Sequence, residues 1–239
     1  MLTVSNADGA PLRGNRSAAV IFDLDGTLVD SVGDITASIN EVLAAKGLAP
    51  FSIETTLKFI GDGADALVER AFCARGITFS SNKLAKMIAS YELIYGARLA
   101  ISTKVYEGAL DIISELRTKG VGIGICTNKT EDKAISVVEA LNISGYVDVV
   151  VGARRGQPSK PSPIPLLKAL QYFGLGAVDT VMVGDSSVDV ECARAAGVAI
   201  IGVSFGYSRI PMRKLAPDVT IENYTEFMAA YASLKARPS

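Results

Sequence analysis

Apolar positions along the chain fall into two kinds of pattern, and the boundary between them divides the molecule. Ala18 to Phe22 is an unbroken apolar run, the form taken by a strand covered on both faces, as in a parallel sheet. Immediately afterwards the spacing turns helical: Val32, Ile35, Ile39, Val42 and Leu43 recur on one stripe, and Gly47 supplies a stop. Ser52 can cap a short segment to Phe59, Gly61-Asp62-Gly63 reads as a loop, and Ala64 to Arg75 carries Leu67, Val68, Ala71 and Phe72 on one side. Leu84, Met87, Ile88, Tyr91, Ile94 and Tyr95 mark a longer helix. From Val105 onward strands and helices alternate, beginning with a helix from Gly108 to Lys119. Strands are expected at Val121 to Cys126, Val147 to Val151, Thr180 to Val183, Val198 to Val203 and Val219 to Ile221. Helices are expected at Glu131 to Leu141, Ile164 to Phe173, Val188 to Ala196 and Thr225 to Leu234.

Six strands with helices between them predict an α/β fold, a doubly wound parallel sheet with a Rossmann-like core. Parallel strands need only a dozen or more connecting residues, yet the stretch between the first strand and the second is far longer and wholly helical. The surplus reads as an inserted helical cap. The expected organisation is a mobile tail at 1–17, a core built from 18–30 and 104–239, and a cap at 31–103.

Composition narrows the class. The 239 residues are 49% apolar, ample for a packed core, and 24 basic residues balance 25 acidic ones without any long block of one sign. That balance predicts neither a nucleic-acid nor a membrane-surface partner; a small molecule is the expected ligand, in a monomer or homodimer. No apolar run approaches the roughly 20 residues of a membrane span, and the start lacks a signal-peptide layout, so a cytoplasmic address is expected. Cys73, Cys126 and Cys192 are odd in number and far apart, which predicts buried or half-buried free thiols rather than a disulfide framework. The chain has no histidine; Ser-His-Asp catalysis, a histidine base and histidine-ligated zinc are excluded, and chemistry must run on carboxylates, lysine and hydroxyls.

Those groups gather at strand ends, where ligands of open α/β sheets sit. Asp23 and Asp25 flank Leu24 at the mouth of the first strand, before Gly26 and Thr27. Two carboxylates there are costly without a positive partner, and a hard cation such as Mg²⁺ suits oxygen ligands. The second strand ends in Cys126-Thr127-Asn128, the fourth in Gly184-Asp185-Ser186-Ser187-Val188-Asp189, and Lys160 lies in the loop after the third. Thr, Asn and Asp at one strand end are ordinary helix caps; four ends with one phosphate-and-cation theme are not. Lys129 and Lys133 are competing cations, placed at a helix start where a positive charge is unfavourable unless an anionic ligand needs it.

The string Asp-Leu-Asp-Gly-Thr-Leu-Val-Asp-Ser from Asp23 to Ser31 resembles the first motif of the haloacid dehalogenase-like superfamily. Cys-Thr-Asn, Lys-Pro-Ser-Pro and Gly-Asp-Ser-Ser-Val-Asp are similar to its second, third and fourth, in the same order. The resemblance implies Asp23 as a nucleophile that becomes an aspartyl-phosphate, Asp25 as general acid and base, and Mg²⁺ held by Asp23, the Asp25 carbonyl and Asp185. It implies Lys160 as a second positive charge, Thr127 and Asn128 as donors to the phosphoryl group, and Asp189 as a support. Phe59 to Ala71 resembles the cap segment of phosphoglycolate phosphatases, which implies 2-phosphoglycolate as substrate and makes Arg70 a candidate for its carboxylate. Val203 to Tyr207 is similar to their turn after the fourth motif. Gly152-Ala153-Arg154-Arg155 departs from the Gly-Gly-Asp often found there and puts the substrate in question. The alternatives are another small phosphate, such as a sugar phosphate or nucleotide, then a phosphomutase, then a non-enzymatic phospho-acceptor module.

Overall fold

The structure, a computed structural model, describes residues 16–236. The tail expected at 1–17 lies outside them except for its last two residues, of which Arg16 reaches to 3.6 Å from Asp148. Six strands, β1 (Ala19–Phe22), β4 (Gly122–Thr130), β5 (Val149–Ala153), β6 (Thr180–Gly184), β7 (Ala199–Val203) and β8 (Val219–Ile221), pair in parallel in the order β5-β4-β1-β6-β7-β8. Two further strands of two residues each, β2 (Val29–Asp30) and β3 (Lys104–Val105), form an antiparallel clasp.

Both faces of the sheet are covered, which explains the unbroken apolar runs. Alternation along β1 sends Val20 and Phe22 into one apolar cluster and Ala19 and Ile21 into the other. The first cluster is closed by α5 (Ala109–Thr118), α6 (Glu131–Ala140) and α10 (Phe227–Lys235), and the second by α7 (Ile164–Phe173), α8 (Ser187–Ala195) and the short α9 (Met212–Leu215). The helical cap is α1 (Val32–Ala44), α2 (Ile53–Leu57), α3 (Gly63–Cys73) and α4 (Ser81–Ala97), with its own apolar cluster around Ile39, Leu43, Val68, Phe72 and Tyr91.

Expected and observed elements agree to within about two residues except at β4, which continues to Thr130 because Thr130 pairs with Ala153 beyond a shift in register. The clasp and α9 had no signal in the sequence, since two to four residues carry no readable period. Of the cysteines, Cys126 and Cys192 are buried as expected, but Cys73 is exposed at the last position of α3.

Candidate active site

The loop after β1 is a compact turn. Leu24 accepts hydrogen bonds from Leu28 and Val29, and Gly26 donates to Val29 at 2.8 Å. Gly26 has φ +86°, and a Cβ there would lie 2.6 Å from an Asp185 oxygen. Only glycine permits both that backbone and that approach. The turn brings β1's carboxylates against the end of β6. Asp185 Oδ1 accepts from Thr27 Oγ1 at 3.0 Å and Oδ2 from the Tyr207 amide at 2.6 Å. Gly206 is as tightly placed, since its Cβ would meet the Asp185 side chain and the Gly26 carbonyl.

Lys160 is the hub. Its ammonium, 1% exposed, lies 2.8 Å from Asp23 Oδ1, 2.6 Å from Asp189 Oδ1 and 2.8 Å from the Cys126 carbonyl. The Asp189 and Cys126 contacts are hydrogen bonds, while Asp23 Oδ1 meets the ammonium as an ion pair without a hydrogen bond of standard geometry. Asn128 holds the Lys160 backbone in a two-way pair, accepting from its amide at 2.9 Å and donating to its carbonyl at 3.0 Å, and also donates to the cap at Gly61 (3.3 Å). The Asn128 amide is therefore committed to the loop, not aimed at open space. Thr127 Oγ1 accepts from the Lys129 amide at 3.2 Å, and the residue lines the cleft between cap and core. Asp189 Oδ2 accepts from Ser186, backbone and hydroxyl, forming the capping box that starts α8.

Asp25 faces a different cation. Lys129 Nζ contacts both its oxygens at 2.9 and 2.7 Å, and Ser31 Oγ donates to Oδ1 at 2.5 Å. Ser31 stands at the N-cap position of α1, but its hydroxyl serves Asp25 and makes no capping hydrogen bond. The Tyr207 hydroxyl does the capping, accepting from the Ser31 and Val32 amides at 2.6 and 3.0 Å while donating to Asp30 at 2.6 Å.

Electrostatics mark the cluster as charge-crowded. Burial raises the pKa of Asp23, Lys160 lowers it and Asp189 raises it again, leaving it near 6. Burial likewise pushes Asp185 well above the carboxylate range, helped by Asp189 and Asp23. Burial pulls Lys160 down, but Asp189 and Asp23 hold it well above its ordinary value. Oxygen atoms of Asp23, Asp185 and Asp189 lie within 4.8 Å of one another, all on buried residues. Asp189 has Lys160 as its counter-charge, whereas among the described residues Asp185 accepts only from neutral donors. A buried, all-oxygen site short of positive charge fits a hard divalent cation.

The cleft is lined by Asp23, Asp25, Thr127, Lys129 and Lys160 from the core and by Ile60, Leu67, Tyr91 and Tyr95 from the cap. Arg70, expected to meet a substrate carboxylate, is not among its lining. Its guanidinium is drawn to the Phe59 carbonyl at 3.0 Å and to Asp62 at 2.5 Å, fastening the cap loop. Arg154, the charge that breaks the Gly-Gly-Asp pattern, pairs with Glu131 at the start of α6. Arg155 stays exposed beside it. Lys129, Tyr95 and Tyr207 were not recognised as site residues from the sequence. A lysine adjoining a strand end, where its charge opposes the following helix, was the one signal available.

Two carboxylates two residues apart, a buried lysine and a second acidic pair at the ends of parallel strands are the set of groups that phosphoryl transfer requires. The family model described as haloacid dehalogenase-like hydrolase matches residues 20–203. The chain is 38% identical over 216 residues to a phosphoglycolate phosphatase of Rhodospirillum rubrum, covering 86% of this chain and 87% of that one. It is 33% identical to the phosphoglycolate phosphatase of Agrobacterium fabrum, covering 90% and 92%. A crystal structure titled as a predicted phosphoglycolate phosphatase from Haemophilus somnus superposes with TM-score 0.84 at 27% identity, over 92% of this chain and 99% of that one. The chain belongs to the haloacid dehalogenase-like hydrolases, and within them it is a phosphoric monoester hydrolase.

Proposed function

We propose that the chain hydrolyses 2-phosphoglycolate, with Mg²⁺, through an aspartyl-phosphate on Asp23. The observation that carries the reading is the convergence of Asp23, Lys160 and Asp185 from β1, the loop after β5 and the end of β6, with Asp25 beside them. The names of the relatives, several of them phosphoglycolate phosphatases at 32% to 38% identity, support the choice of substrate.

Asp23 presents a carboxylate oxygen to phosphorus, while Lys160 holds that carboxylate in place and contributes positive charge beside the transferred group. Thr127 donates its hydroxyl proton to a phosphoryl oxygen. Asp25, steadied by Ser31 and Lys129, protonates the departing ester oxygen and then takes a proton from the water that cleaves the aspartyl-phosphate. Asp23, Asp185 and the Asp25 carbonyl would hold a divalent cation, which would neutralise charge on the phosphoryl oxygens. The cap, taken as 31–103, closes over the cleft and keeps bulk water from the intermediate.

The test is phosphate release from 2-phosphoglycolate, ethyl phosphate, glucose 6-phosphate and a nucleoside monophosphate, with Mg²⁺ and with EDTA. Expected are Mg²⁺-dependent turnover, preference for 2-phosphoglycolate, and loss of roughly a thousandfold or more in Asp23→Asn and Asp185→Asn. Wild-type turnover by Asp23→Asn would overturn the covalent mechanism, and a preference for the sugar phosphate or nucleotide would overturn the substrate.

A further inference from the structure

We infer that Lys129 and Tyr95 together form the receptor for the substrate's carboxylate, and that they select an acid whose carboxyl carbon is one carbon from the ester oxygen. The inference rests on the reading of the site as a phosphatase for a small phosphorylated acid, and it names the residues that read the acid.

The Lys129 ammonium is 8% exposed, and two of its contacts go to the two oxygens of Asp25. An ammonium has three protons; the third is left for Tyr95, which faces it, and for whatever enters the cleft that both side chains line. Facing it from α4 of the cap is Tyr95, whose ring centroid lies 4.5 Å from Nζ and whose side chain stacks on Tyr91. The ring is therefore held by packing on one side and by the cation on the other.

The Tyr95 hydroxyl is the unexplained group. The residue is 2% exposed and lines the same cleft, yet its hydroxyl has no hydrogen-bond partner of standard geometry, although the ammonium is near enough to act on its charge. Buried hydroxyls are normally satisfied, and an orphan on a residue that lines a cleft calls for an acceptor supplied from outside. A carboxylate gives that acceptor and takes the spare Lys129 proton on its other oxygen.

Distances decide the length of the acid. Asp25 must come within about 3 Å of the ester oxygen to pass it a proton, and Lys129 Nζ is 2.7 Å from Asp25. The ester oxygen thus sits at most about 6 Å from Nζ. A carboxylate on the carbon next to the ester oxygen extends about 3 Å beyond that oxygen by ordinary bond lengths, which leaves one hydrogen-bond distance. An added methylene overshoots that limit. Arg70, turned away to Asp62, has no part in this.

Steady-state kinetics of wild type and Tyr95→Phe on 2-phosphoglycolate and on ethyl phosphate, which has the same carbon count without the carboxylate, test the inference. The expected result is a fall of roughly 10-fold to 100-fold in the ratio of kcat/KM for the acid to that for ethyl phosphate, the size of one hydrogen bond to a charged group, expressed mainly in KM. Competitive inhibition by glycolate should weaken by a similar factor in the variant. If wild type prefers 2-phosphoglycolate and Tyr95→Phe keeps that preference, or loses equally on both esters, the receptor is wrong while the function stands. If wild type turns over ethyl phosphate but not 2-phosphoglycolate, the assigned substrate falls, and the receptor with it.

Discussion

At the scale of single residues, the site is held in a state that the fold tolerates rather than prefers. The Asp23 carboxyl has a pKa near 6 because burial, with Asp189, outweighs the help it gets from Lys160. A carboxyl raised in the folded state binds its proton more tightly there than in the unfolded chain, so stability falls as pH rises from about 4 through about 6 and stays low above that. Asp23→Asn is therefore expected to exceed wild type in stability at pH 7.5 without divalent cation, by an amount on the order of 2–3 kcal/mol, and to match it near pH 4. Urea denaturation at the two pH values checks this; an equal difference at both would show that desolvated charge is not the cause. Single residues also explain what the sequence could and could not disclose. Asp23, Asp25, Lys160, Asp185 and Asp189 were legible because each lies in a contiguous string of unusual residues. Lys129 was visible only as a misplaced charge, since its partner Asp25 is 104 positions away. Nothing in Arg70's helical spacing could tell that its guanidinium turns to Asp62.

At the scale of elements, two devices fix α1, one closing the cap on itself and one tying it to the core. Asp34, 2% exposed in the first turn of α1, accepts from the Ser102 and Thr103 amides and the Thr103 hydroxyl, binding the cap's outgoing chain to its returning one. Asp34→Ala strands those buried donors and is expected to cost about 2–4 kcal/mol by urea denaturation; less than about 1 kcal/mol would mean that water replaces the carboxylate. The second device is the Tyr207 hydroxyl, cap of α1 from a loop after β7. Tyr207→Phe is expected to lose about 1 kcal/mol, as for a removed N-cap, and thermal unfolding reads it. Gly206→Ala beside it pushes a methyl into the Asp185 side chain, so it should reduce Mg²⁺-dependent turnover by far more than it lowers Tm. The six core strands were readable because burial on both faces leaves continuous apolar runs. The β2–β3 clasp was not, because a pair of two-residue strands is specified by the meeting of chain segments more than seventy positions apart.

At the scale of the whole molecule, the cap touches the core through exposed charge. Arg209, in the loop after β7, reaches Asp62 at 2.6 Å and the Ile60 carbonyl at 3.2 Å, and Asp62 is shared with Arg70. Burial raises the Asp62 pKa but the two arginines more than offset it, so the carboxylate stays ionised well into acid. Exposed pairs contribute about 0–1 kcal/mol and are screened by salt. Arg209→Ala should leave Tm within a degree or two yet raise KM severalfold, an effect that 0.5 M NaCl reproduces in wild type and barely adds to in the variant. Additive losses from salt and mutation would show that the pair does not govern closure.

The chain's order of residues was enough to specify a two-faced parallel sheet, a helical insertion after its first strand, and which carboxylates and lysine arrive at the strand ends, because periodicity and contiguous motifs are local properties. Which cation faces which carboxylate, which tyrosine caps α1 and which is left open in the cleft, and where Arg70 points were decided only by tertiary structure. Those are relations between segments distant in sequence, set by how the cap packs on the core and by the cost of leaving a buried charge without an opposite one.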